Sequence, residues 1–423
     1  MEKLLEFVQN NIQANTARLI LDRSKWPDID MDIAVNCIES RNKLKGKIRE
    51  WYDNPYLVFP LKLSAEQCSS SLTGLYKSEL AERIAGSIDN WKLADLTGGL
   101  GVDSWYFSKK AGQVLYCEMQ KALCDAAQHN FAALGSGNIM VHNCMVVPKN
   151  AAESQSIGLA TSPDELFAEY TPDIIYLDPA RRGEGGRKVF LLEDCTPEIL
   201  KLKDELFTYT RHILIKLSPM ADITMVCERL GRCCREVHVV GASGECKELL
   251  VWMDREWDGD YTITAAELCG TENEYESALF SFSPSEERSS APLIAGKDEV
   301  TDAAYLFEPG KALMKAGAYN LISARFGLRK LGRSTHYYVA SETSESFKKL
   351  GKVFNILKCE SLDKRSIKEI ASAYPKAEVT ARNLQIDTDT LRKKLGTRSS
   401  DQFHIFGLKS DTAGNLLLAT ERK

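Results

Sequence analysis

Apolar residues recur at helical spacing near the start of the chain, at Leu4, Leu5, Val8 and Ile12 and again at Ile33, Val35 and Ile38, punctuated by WPDID and DNPY. That period predicts a small helical domain over residues 1–64. Further on, the pattern changes to short, largely apolar runs at Trp91–Leu96, Val114–Cys117, Ile174–Leu177 and Arg211–Leu217. Such runs suit strands covered by helices on both faces, as in a parallel sheet. Glu236–Val240 and Glu248–Met253 flank Gly241-Ala242-Ser243-Gly244-Glu245 and predict a closing pair of strands. After Met253, the acidic DREWDGDY and the Ser/Pro-rich stretch at Ser281–Pro292 mark a boundary and a solvent loop. The remainder alternates helix (Lys311–Ser323), strand (Tyr337–Ala340), helices (Ser344–Leu350 and Lys364–Tyr374), strand (Ala377–Ala381) and helix (Asp387–Leu395), then a hairpin through Asp411–Asn415. The resulting domains are 1–64, 65–257, 258–338 and 339–423.

Between the first two apolar runs the chain reads as strand, glycine-rich turn, helix and strand. Thr97, Gly98, Gly99 and Gly101 break the first strand with residues that let a ligand approach the backbone. Asp103 and Ser104 suit the start of a helix, and the next strand closes on Glu118, 17 residues after Gly101. An acid at that strand end accepts hydrogen bonds from both hydroxyls of a ribose, roughly 1.5–3 kcal/mol each for a charged acceptor. Dinucleotide enzymes need GxGxxG facing a pyrophosphate, but here Ser104 takes the third glycine's place and Asp95 would oppose the phosphates. S-adenosylmethionine (SAM) brings an ammonium and a sulfonium, for which Asp95 is favourable. The D-x-x-x-G-x-G spelling therefore points to the methyl donor, with a dinucleotide and plain packing glycines as the alternatives.

A second motif follows in TPDIIYLDPARRGEGGR, where a buried strand runs into Asp178, Pro179, Ala180, Arg181 and Arg182. Carboxyl ends of parallel strands are where such sheets hold ligands. A strand stopped by proline before a solvated basic loop is the plainer reading.

With these motifs in order, the chain resembles the class I SAM-dependent methyltransferases. Asp95–Gly101 looks like their first motif, Glu118 (with Met119 beside it) like the ribose acid, and Asp178-Pro179 like their D/N-P-P-x motif. NIMVHNCMVV, 138–147, looks like the third strand, with Asn143 where an acid or amide often meets the adenine amino group; the His142-Asn143 pair departs from the usual acid. The implied fold is a Rossmann-like, mostly parallel sheet with its last strand antiparallel. Gln67–Ile84 looks like the helix such enzymes lay over the donor's methionine end; its Ser and Thr side chains are either ligands for that carboxylate or helix caps. DPARRG is similar to the DPPRxG of RNA uracil-C5 methyltransferases, but LSP (Leu217–Pro219) stands where their nucleophilic cysteine belongs, so that covalent route is not expected. Asp178, Pro179 and Arg181 are carried over as catalytic candidates, with Asp178 also near the donor. Arg181 or Arg182 is the candidate phosphate contact.

Composition bounds these readings. A chain of 423 residues, 44% hydrophobic and 27% charged, suits two to four globular domains. With no apolar run near the ~20 residues that span a bilayer and no signal-like start, a cytoplasmic location and no membrane partner are expected. The 12 cysteines include no C-x-x-C and the six histidines are scattered, so no metal site is expected; Cys117 and Cys144 read as core. The net charge of −5 hides an asymmetry: residues 309–423 hold 22 Lys and Arg against 11 Asp and Glu, a local +11 that leaves −16 elsewhere. Arg325, Arg329, Lys330 and Arg333 lie beside Phe326, Tyr337 and Tyr338, cations for phosphates among rings for bases, and Arg382, Arg392, Lys393, Lys394 and Arg398 form a second cluster. Solvated helix faces explain either cluster equally well.

EPGKALMKAGAYNLI, AEVTARNLQIDTDTLRKKLG and FHIFGL resemble a bacterial group of class I methyltransferases with a ferredoxin-like insert and a C-terminal THUMP-like domain. That resemblance covers nearly the whole chain and implies methylation of a transfer or ribosomal RNA base, the C-terminal module gripping RNA, with no obligate protein partner. The alternatives are a methyltransferase of small molecules or proteins, and a non-catalytic protein on the donor fold.

Overall fold

The computed structural model describes residues 2–152, 159–181 and 192–422. The chain divides into two compact units, the first formed by residues 1–237, 247–261 and 268–277, the second by 238–246, 262–267 and 278–423.

In the first unit, helices α1 (Glu2–Asn10), α2 (Thr16–Leu21), α3 (Met31–Leu44), α4 (Arg49–Asp53) and α5 (Lys62–Gln67) confirm the helical spacing of the opening segment. They do not close on a core of their own. Val8, Ile38, Trp51 and Phe59 pack in one cluster with Leu100, Trp105, Tyr116 and Phe131 further along. Trp51 stacks on Phe59 at 6.1 Å and meets the edge of Trp105 at 5.7 Å. The DNPY break is organised by buried Arg41, whose guanidinium donates to the carbonyls of Tyr52, Asn54 and Leu57. A guanidinium with three carbonyl acceptors satisfies a tight turn that would otherwise bury bare oxygens.

Helix α6 (Ser71–Ala85) leads into strands β1 (Lys92–Asp95), β2 (Gln113–Glu118), β3 (Ile139–Asn143), β4 (Ile174–Leu177), β5 (His212–Leu217), β6 (Cys234–Ala242) and β7 (Glu245–Asp254), with α7 (Val102–Ser108) and α8 (Lys121–Ala133) between β1, β2 and β3. Seven strands of one sheet lie in the order β6-β7-β5-β4-β1-β2-β3. β1 to β5 pair in parallel, and β7 runs antiparallel to β5, with Val251 opposite Ile215. The order reverses beside β1, so the carboxyl ends of β1 and β4 part there and leave a crevice. This is a Rossmann-like methyltransferase sheet, as the spacing of apolar runs and the closing hairpin predict.

The second unit carries a seven-stranded sheet. Its strands are β8 (Tyr305–Pro309), β9 (Arg329–Lys330), β10 (Tyr338–Ala340), β11 (Gly351–Ser361), β12 (Glu378–Arg382), β13 (Phe403–Ser410) and β14 (Gly414–Arg422), in the order β9-β10-β8-β11-β14-β13-β12. Among the described residues of this sheet, β12 and β13 pair in parallel and the other neighbouring strands are antiparallel. Two sequence expectations are corrected here. The solvent loop expected at Ser281–Pro292 contains a helix, Pro284–Ser289, started by a Ser283–Glu286 capping box. The helix expected over Lys311–Ser323 is two helices, Lys311–Ala316 and Leu321–Phe326, because Gly317 ends the first at φ +85°.

Candidate active site

A cleft of about 770 Å³ opens at the carboxyl ends of β1, β2, β4 and β5, lined on one side by Asp95 to Asp103 and Cys117 to Gln120 and on the other by Asp178 to Ala180 and Lys216 to Ser218.

The glycine turn forms the first side. A Cβ on Gly98 would sit 2.1 Å from the Tyr116 ring, and Gly101, at φ +90°, would place one 2.7 Å from Phe131. The tight turn thus needs both glycines, and Tyr116 fixes it by donating its hydroxyl to the Gly99 carbonyl at 2.6 Å. Asp95 is buried beneath the turn: Oδ1 accepts the Thr97 N–H at 3.0 Å, and Oδ2 accepts the Ser104 hydroxyl at 2.6 Å. Burial pushes its carboxyl up to about 7; the bonds from Ser104 and Thr97 pull the other way, and Asp103 and Asp178 add to the rise. Glu118 binds the same turn, accepting the N–H groups of Gly99 at 2.9 Å and Gln120 at 2.7 Å. Each carboxylate oxygen retains a further lone pair, the capacity a ribose diol needs. Met119 lines the cleft and is 49% exposed. Asn143 is placed differently from the adenine contact expected of it: its amide donates to the carbonyls of Glu118 and Met119 at 2.8 and 3.1 Å, holding the loop, and it is not among the lining residues.

The second side is a charged network of which the sequence disclosed only Asp178. Lys216, on β5, lies 2.5 Å from Asp178 Oδ2 and 3.8 Å from Asp103. Behind it, fully buried Lys77 of α6 reaches Glu248 at 2.6 Å, Asp103 at 3.3 Å and the Ser69 hydroxyl at 3.0 Å, while Tyr176 donates to Asp103 at 2.8 Å. Burial works against the Lys216 ammonium, yet Asp178, Asp103 and Glu248 outweigh it and hold its pKa above the ordinary lysine value. Burial likewise disfavours the Asp103 carboxylate, but the two lysines reverse that and lower its pKa; Glu248, for which burial dominates, is raised. The signal for this network in the sequence was a single lysine in the apolar run HILIKL.

The two sides are joined through Thr97, whose Oγ1 accepts the Asp178 N–H at 2.6 Å and donates to Asp95 at 3.4 Å. Pro179 lines the cleft, and the backbone of Ala180-Arg181 pairs with Thr196-Cys195. Arg182 lies outside the described residues. The hydroxyls at the start of α6 divide their roles: Ser70 and Thr73 form a capping box, while Ser69 lines the cleft.

In the second unit the basic cluster is partly internal. Lys330 is 2% exposed and donates to the Arg333 carbonyl at 3.0 Å, so it cannot serve as the surface phosphate contact expected of it. Tyr337 and Tyr338 are buried too, Tyr337 with its ring 5.6 Å from that of Phe406 and Tyr338 6.2 Å from that of Phe307. Arg325 donates to the Ser281 carbonyl at 2.7 Å and pairs with Glu286 at 3.2 Å. Arg329 pairs with Glu299 at 3.1 Å, and Arg333 is exposed. The second cluster stays outside: Arg382, Arg392, Lys393, Lys394 and Arg398 are all exposed.

Residues 305–347 match a ferredoxin-like domain family, and residues 351–422 match a THUMP domain-like family. The chain is similar to the crystal structure of a candidate methyltransferase from Porphyromonas gingivalis W83, with 28% identity and a TM-score of 0.81 over 99% of this chain and 97% of that one. An rRNA methylase from Streptococcus thermophilus aligns with 42% of this chain and 94% of its own at 10% identity and a TM-score of 0.29. A 16S rRNA methyltransferase of T. thermophilus, in complex with AdoMet and guanosine, aligns with 44% of this chain and 43% of its own at 15% identity and a TM-score of 0.29. Among curated proteins no sequence matches the chain.

Proposed function

From a chain that carries a Rossmann-like methyltransferase sheet followed by ferredoxin-like and THUMP-like domains, we propose a SAM-dependent RNA methyltransferase that modifies a base of transfer or ribosomal RNA. The observation that carries this reading is the joint cleft, with the Gly98–Gly101 turn and Glu118 on one wall and Asp178-Pro179 on the other. The residues fit the donor. Gly98, Gly99 and Gly101 present no side chain to a ligand, Glu118 has acceptor capacity for a ribose, and Asp95, which lines the cleft, is an acid suited to a cationic donor.

When bound, SAM supplies a methyl group activated by a sulfonium. The chain's part is to align an acceptor with it and exclude water, because charge disperses as a neutral nucleophile is alkylated. The Gly98–Gly101 turn and Glu118 would hold the donor so that its methyl carbon could meet the lone pair of an acceptor. Asp178 orients that acceptor by taking a hydrogen bond from it. RNA is supported by the THUMP-like match and by the exposed basic residues of 382–398.

A small-molecule or protein acceptor is the second reading, favoured by the burial of Lys330, which removes one cation from the expected RNA surface. Mass spectrometry of nucleosides in RNA from cells lacking the protein decides between them. The expected result is one missing modified nucleoside, restored by purified protein and SAM; an unchanged nucleoside profile sinks the RNA reading.

A further inference from the structure

Lys216 does more in this cleft than neutralise a neighbour. An ammonium has three N–H groups in tetrahedral array. One is spent on Asp178 Oδ2 at 2.5 Å, and Asp103 at 3.8 Å lies beyond hydrogen-bond length. The side chain is 12% exposed and lines the cleft. Asp178 is bound on Oδ2 only; Oδ1 has no partner among the described residues, and the side chain is 40% exposed. Among the described residues, an acceptor and a donor with no partner therefore stand side by side in the cleft. Met220, two residues past Ser218, lines this end and is 71% exposed, a polarisable thioether with little over it. Pro179 and Leu217 add apolar surface there.

We propose that Lys216 is a positioning residue of the acceptor subsite, holding Asp178 with one N–H and reading the acceptor with another. The subsite then takes a planar nitrogen heterocycle whose edge offers an N–H next to a carbonyl oxygen or bare ring nitrogen. The N–H goes to Asp178 Oδ1, the acceptor atom to Lys216, and the flat faces to Pro179 and Met220. Amidine edges of adenine and cytosine and lactam edges of guanine and uracil share this donor–acceptor pair; aliphatic amines, carboxylates and thiols lack it. The inference rests on the methyltransferase reading and adds to it Lys216 as the residue that, with Asp178, recognises the edge of the acceptor base.

The test is calorimetric titration of the full chain with S-adenosylhomocysteine, then of that complex with 5′-AMP, CMP, GMP and UMP. At least one nucleotide is expected to bind. Lys216→Met is expected to weaken that binding tenfold or more while S-adenosylhomocysteine affinity stays within threefold. Lys216→Arg, which keeps the charge and the Asp178 pair, restores at least part of the nucleotide affinity. If Lys216→Met does not fold, the Arg variant and Met220→Ala, expected to weaken nucleotide binding about fivefold, carry the test. No nucleotide binding to a complex that does hold S-adenosylhomocysteine overturns the inference alone, as does equal nucleotide affinity in the Lys216 and Met220 variants. No binding of S-adenosylhomocysteine overturns the function and the inference together.

Discussion

Asp95 shows how one buried acid ties pH to both binding and stability. With its carboxyl pushed up to about 7 by burial, it carries a proton below neutrality. A cationic donor favours the ionised form, so SAM binding should release that proton. SAM affinity is expected to rise with pH up to about 7, approaching tenfold per unit on the acid side, and to level off above; calorimetry from pH 5.5 to 8.5 reads it, and Asp95→Asn should flatten the profile. For stability the direction is opposite. The folded chain holds this proton more tightly than the unfolded chain, so the group's contribution is complete below the ordinary carboxylate range and is lost as pH rises through about 7. The spelling D-x-x-x-G-x-G made Asp95 legible as a ligand for a cation. It gave no hint that Ser104 and Thr97 already occupy both oxygens, because hydrogen-bond partners nine and two residues away are set by the fold of the turn. Lys77 and Glu248 were silent for the same reason: they meet across 171 residues of chain.

At the scale of elements, the apolar runs read correctly because strands buried on both faces admit few polar residues, as Ile174–Leu177 illustrates with every position buried. The opening helices were legible as helices, yet the sequence did not reveal what they pack on. Trp51 is fully buried against both Phe59 and Trp105, a residue of α7, the helix between β1 and β2 of the Rossmann-like sheet. Trp51→Ala should therefore cost about 3–5 kcal/mol of global stability, visible as one cooperative shift of the first unit in denaturant unfolding. A separate early transition confined to the N-terminal helices would show instead that they fold apart from the sheet. The Arg325–Tyr338 segment departs from its expected exposure at this scale: two-residue β9, at the edge of its sheet, turns Lys330 inward opposite Tyr338, and so short a strand leaves no period from which the buried face can be told.

Across the whole molecule, charge is partitioned along the chain, +11 after residue 308 and −16 before it. The burial of Lys330 shifts the burden of any RNA contact to exposed residues such as those of helix Thr388–Leu395. Reversing Arg392, Lys393 and Lys394 to Glu is expected to weaken RNA binding by about tenfold or more near 0.1 M salt and to flatten its dependence on salt, with SAM affinity unchanged. Filter binding across a salt series measures both; an unaltered slope would remove this helix from the interface. No helix among the described residues is long and apolar enough to cross a membrane.

Thr97 gives the cleft a property that neither wall has alone. One hydroxyl serves the Asp95 carboxylate beneath the donor turn and the Asp178 backbone at the start of the acceptor loop, so a displacement of either is felt by the other through a single oxygen. Binding at two places that share such a joint is reciprocal: the factor by which SAM tightens the acceptor must equal the factor by which the acceptor tightens SAM. Thr97→Val keeps the volume and removes the joint. Titrations in both orders should then give the same affinities whether or not the other ligand is present, turning a pair of cooperating half-sites into two independent ones.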